Sequence, residues 1–67
     1  MRSFVLYGLD LSDKLLATET LRAEGIEAAR LLARRRLSEF PKVELWSEAV
    51  CVYRNRRAPE APPSASH

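Results

Sequence analysis

Few side chains in this sequence are of the kinds that do chemistry, and their spacing limits what they could do. The single histidine, His67, is the last residue. It is expected to be unpositioned, whereas a general base must be held within hydrogen-bond reach of the proton it takes. The single cysteine, Cys51, lies inside an alternating run with no histidine near it in sequence. It reads as a small, partly buried hydrophobe rather than a nucleophile. One cysteine also rules out an internal disulfide framework and a multi-cysteine zinc site. Asp10 and Asp13 are close enough to share a cation, but two carboxylates are an incomplete ligand set. The stretch Asp10-Leu11-Ser12-Asp13 spells a tight turn instead. With no glycine-rich phosphate loop and no nucleophile motif, the chain reads as not an enzyme. No catalytic, cofactor-binding or metal-binding residue is expected.

A second set of residues suits binding rather than catalysis. Trp, Tyr and Arg dominate the hot spots of protein interfaces, and this chain carries Trp46, Tyr53, Tyr7, Arg54, Arg30 and Arg34. Arg30 and Arg34 are four apart and share one face of a helix. The run Arg34-Arg35-Arg36 is less suggestive, because successive helix residues point about 100° apart and cannot line one phosphate backbone. The aromatic residues depend on strand facing. If Val43, Leu45, Val50 and Val52 pack under a helix, then Trp46, Cys51, Tyr53 and either Tyr7 or Phe4 share the opposite face. A one-residue slip of register would exchange the two faces.

The elements that must position these residues are legible to different degrees. From Glu24 to Phe40, the apolar positions Ile26, Ala29, Ala33, Leu37 and Phe40 step by three or four, with Leu32 widening the stripe. That is one buried helix face, small in the middle and larger at both ends. Gly25 argues for a start near Glu24 or Gly25, and Pro41 closes the far end. Glu27 is placed to meet Arg30, and Arg35 to meet Glu39. Arg36 falls at the edge of the apolar face, its stem able to pack while its head reaches water.

Ser3 to Leu9 reads as a strand, in which Gly8 marks either a bulge or a close approach of the helix. Lys42 to Ser47 and Ala49 to Arg54 alternate as a hairpin about a short turn. Lys14 to Ala23 is ambiguous. As a strand it sets Leu15, Ala17, Glu19 and Leu21 against Leu16, Thr18 and Thr20, and as a helix it has Ser12 as a cap. The fold class is therefore α+β: a small antiparallel sheet with one central helix on one face. Its order is ββαββ, or βαββ if residues 14–23 are helical.

One small domain, residues 1–57, is expected, with residues 58–67 forming a disordered Pro/Ala/Ser tail. So short a folded part buries a marginal core, and a partner or self-association often makes up the difference. Eleven Lys and Arg against nine Asp and Glu give a net charge of +2, too mild to imply nucleic acid or an anionic membrane. The opening apolar run meets Asp10 too soon for a membrane span or a secretory core. A cytoplasmic protein is expected, with no membrane association.

The motif FxLYxxD at Phe4 to Asp10, the helix EAARLLAR at Glu27 to Arg34, and VELWxxxxxVxR at Val43 to Arg54 together resemble a group of small uncharacterised alphaproteobacterial proteins with a ββαββ pattern. The resemblance implies a fold and a cytoplasmic bacterial setting, and no activity. Members of that group begin their second strand after a glycine-containing turn, where this chain has Leu11-Ser12-Asp13.

The expected function is that of a small non-enzymatic regulator, an adaptor or inhibitor that docks a sheet or helix face on a partner protein. Two alternatives use the same residues. In one, Tyr7, Trp46 and Tyr53 stack the bases of a single-stranded nucleic acid while arginines contact phosphates. In the other, the surface builds a homodimer.

Overall fold

The structure, a computed structural model, describes residues 1–57; the stretch 58–67, expected to be disordered, lies outside the described residues together with His67. The chain runs β1 (Arg2–Leu9), β2 (Leu15–Ala23), α1 (Ile26–Arg35), a 3-10 turn (Arg36–Ser38), β3 (Lys42–Ser47) and β4 (Val50–Arg56). The strands form one antiparallel sheet in the order β2-β1-β3-β4. This is the ββαββ arrangement, and residues 14–23 are the strand alternative.

The Asp10 carboxylate closes the first hairpin without a glycine. Its Oδ1 accepts the Ser12 amide at 2.9 Å, the Ser12 hydroxyl at 2.8 Å and the Lys14 amide at 2.8 Å. The main chain adds Asp13 N–H to Asp10 C=O and Asp10 N–H to Lys14 C=O, each at 3.0 Å. Asp13 takes the left-handed conformation, φ 67°, which Asp tolerates better than most residues. The Lys14 amide first, and then the Ser12 hydroxyl, hold the Asp10 carboxyl below its ordinary value, because both bond the charged form.

The helix covers one face of the sheet. From β1, Phe4 and Leu6 point toward it; from β2, Leu21 and Ala23; from β3, Val43 and Leu45; and these meet Ala29 and Ala33 of α1. Ala29, Ala33, Val43 and Leu45 are wholly enclosed. Each large side chain so buried contributes about 1.5–3 kcal/mol. The small-in-the-middle helix stripe thus sits where expected, while Ile26, Leu32, Leu37 and Phe40 pack half-buried around it. Gly8 marks the bulge, the pairing shifting between Gly8 and Leu9, and what approaches it closely is the Phe40 ring, beyond the 3-10 turn, and not the helix itself.

At the end of the helix two details differ from expectation. The α-helix stops at Arg35 and tightens into a 3-10 turn. In that tighter winding, residues three apart eclipse, so Glu39 pairs with Arg36, at 2.9 Å, in place of Arg35. The other end of the Arg36 guanidinium reaches Glu19 on β2 at 2.7 Å. Arg36 therefore clamps the end of the helix to the edge of the sheet, and Glu39 and then Glu19 raise its pKa above the ordinary value.

Candidate functional site

The face of the sheet turned away from α1 carries the first half of the site. Antiparallel register sets Val5 opposite Trp46 and Tyr7 opposite Glu44, and directly opposed residues project to the same side. Tyr7 and Trp46 meet edge to face, their ring centroids 6.3 Å apart, a favoured aromatic geometry. The indole N–H donates to Glu44 Oε1 at 3.0 Å, and Arg54 Nε approaches Glu44 Oε2 at 3.3 Å. Glu44 thereby joins Trp46 to Arg54. Around this core lie half-buried Val5 and Cys51 and exposed Leu16, Thr18 and Thr20. No other element of the described residues covers this face.

The second half lies on the helix side of β4. Arg30 sits over the Tyr53 ring, 5.3 Å from its centroid, a cation–π contact. Arg30 also pairs with Glu27 at 3.2 Å, the i+3 pair expected from the sequence. Asn55 donates to the Tyr53 hydroxyl at 2.9 Å. Arg34 lines the same groove between α1 and β4.

The facing of Tyr53 corrects the sequence reading, which set it beside Trp46. Leu45 pairs with Tyr53 but Trp46 pairs with Cys51, so Val52 is an extra residue opposite the Leu45–Trp46 step. Such a bulge slips the alternation by one residue. Val52 and Tyr53 both pack against the core cluster under the helix. Phe4, the other candidate for the open face, is a core residue, 1% exposed. Val50, assigned to the core from sequence, is 61% exposed, because its partner Ser47 lies at the end of β3.

Of the six residues singled out, Tyr7, Trp46 and Arg54 therefore share the open face, and Arg30, Arg34 and Tyr53 share the groove. β4 runs between the two sets. Sequence reasoning passed over Glu44 and Asn55, which tie each set together. Their signal was the spacing of two: Glu44 and Trp46 project to one side of β3, and Tyr53 and Asn55 to one side of β4.

Cys51 carries a free thiol on the open face, opposite Trp46. Among the described residues, no three His, Cys, Asp or Glu side chains cluster as metal ligands would, and no helix is long and apolar enough to cross a membrane. The class that fold and site define is a one-helix, four-stranded antiparallel α+β protein with an open aromatic sheet face. No family model, curated protein or solved structure matches the chain.

Proposed function

We propose that the protein is a small non-catalytic regulator that binds a partner protein through the open face of its sheet, with Trp46 at the centre of the contact. The observation that carries this reading is the Tyr7–Trp46 pair on a face that no described element covers. An aromatic anchor rimmed by an ion pair, here Glu44–Arg54, has the make-up of a binding hot spot with its polar rim. A cytoplasmic setting belongs to the same reading, since it would keep the half-buried Cys51 thiol reduced. The nucleic-acid alternative is weakened because Tyr53 faces the helix under Arg30, leaving two aromatic rings instead of three for a stacking platform.

Trp46→Ala tests the proposal. A purified partner, first recovered from nuclease-treated lysate, should bind the wild type and lose at least about tenfold in affinity for the variant. The circular dichroism spectrum of the variant should be unchanged. Equal affinity of the two proteins overturns the reading. So does a wild-type chain of twice the monomer mass that Trp46→Ala returns to monomer, which assigns the face to a second copy.

A further inference from the structure

The two edges of the sheet are chemically unlike. On β2, Glu19 is held by Arg36, whose charge is answered a second time by Glu39, and Arg22, with no ion pair among the described residues, stands on the open side alone. β4 is flanked by arginines on both sides: Arg54 and Arg56 toward the open face, Arg30 and Arg34 toward the helix. Glu44 answers Arg54 and Glu27 answers Arg30, while Arg34 and Arg56 make no ion pair among the described residues. An uncompensated positive charge thus stands on each side of this strand.

The backbone of β4 is also arranged to take another strand. Arg57 N–H donates to Pro41 C=O at 2.7 Å, and Lys42 is opposite Arg56. Alternation along an antiparallel ladder then turns the N–H and C=O groups of Arg56 and Arg54 away from β3. The outward Arg56 N–H is met by the neighbouring side chain, Asn55 Oδ1, at 2.9 Å. An incoming main-chain carbonyl could replace that contact one for one, and the rest of the Asn55 amide is already engaged with Tyr53.

We propose that the β4 edge from Arg54 to Arg56 receives an extended acidic segment of a partner protein as a fifth strand. Outward N–H and C=O groups pair with the main chain of the segment, and neighbouring carboxylates, which project to opposite faces, meet Arg56 on one side and Arg34 on the other. The occupant is a peptide because the edge offers donors and acceptors at strand spacing, which a nucleic-acid backbone does not match. The charges choose an acidic one. This deepens the partner-binding reading and rests on it, and it accounts for both halves of the site flanking one strand.

The test is a titration of isotope-labelled full-length protein, followed by amide shifts and amide exchange. Three probes are used: a ten-residue peptide repeating Asp-Asp-Val-Val, which sets carboxylates on both faces of a strand, the same peptide with Lys for Asp, and a ten-nucleotide oligo(dT). The acidic peptide should shift the amides of Arg54 and Arg56 and slow their exchange. The double variant Arg34→Glu/Arg56→Glu should weaken it at least about tenfold, and Trp46→Ala should keep the β4 shifts. Equal binding of the Lys peptide, displacement by oligo(dT), shifts confined to Tyr7 and Trp46, or no binding at millimolar peptide each overturn the proposal. Because Trp46→Ala reads the open face and the charge-reversed pair reads the edge, the two readings fail separately.

Discussion

The ring of Phe40 lies directly on the backbone of Gly8. A β-carbon at position 8 would stand 2.6 Å from Cγ of Phe40 and 2.7–2.8 Å from its Cδ atoms. Any side chain on Gly8 must push the ring off the sheet. Gly8→Ala should therefore destabilise the fold by about 1–3 kcal/mol, the usual cost of overpacking. In a Phe40→Ala background the same substitution should cost less, because the clash has gone, and a double-mutant cycle in urea measures the difference.

Core truncations should rank by enclosure and not by helix position. Leu45 is fully buried in β3, whereas Leu37, in the 3-10 turn, is half-buried. Leu45→Ala should cost about 2–5 kcal/mol, enough to unfold so small a domain. Leu37→Ala should cost less than about 2 kcal/mol. Denaturant midpoints of the two variants check the order, and the reverse order would place the core centre wrongly.

The Asp10 turn makes stability depend on pH in a defined direction. The folded pKa of Asp10 lies below its ordinary 3.8, so the folded state favours the carboxylate more than the unfolded state does. The contribution is fully present above the unfolded value and is lost as pH falls through the folded value. Melting temperature should therefore drop as pH is lowered past 3.8. Asp10→Asn should remove part of that drop while lowering the neutral-pH melting temperature.

The β3–β4 turn holds a residue in an unfavourable conformation. Glu48 has φ 55°, in the left-handed region that costs a side chain about 1–2 kcal/mol. Glycine bears no such cost but loses more entropy on folding. Glu48→Gly should raise stability by about 0.5–1 kcal/mol. A thermal melt of the variant tests this, and a lower midpoint would show that Glu48 makes a compensating contact.

Much of the fold was legible because local patterns and packing agree. The stripe Ile26, Ala29, Ala33, Leu37 and Phe40 needs only a helical period to declare its face, and Ala29 and Ala33 are wholly buried there. Thr18 and Thr20 alternating with Ala17, Glu19 and Leu21 already favour a strand, and Asp10 supplies the turn that a glycine would otherwise make. Trp46 and Tyr7 meet because two unbroken period-2 strands register against each other.

What only the tertiary structure decided is the facing of Tyr53 and the partner of Arg36. Alternation predicts facing only while every residue has a partner, and the unpaired Val52 breaks the count between Leu45 and Trp46. Where a hairpin takes up an extra residue depends on how its turn, its register and the helix above it pack together, which no local period encodes. Arg36 likewise finds Glu19, seventeen residues away, only because the helix end lies across β2. The sequence by itself determined the helix and its buried face, and the strands β1, β3 and β4 as elements, because each follows from a local period. The three-dimensional packing decided which surface residues meet, because those contacts join strands and helix that local pattern describes one at a time.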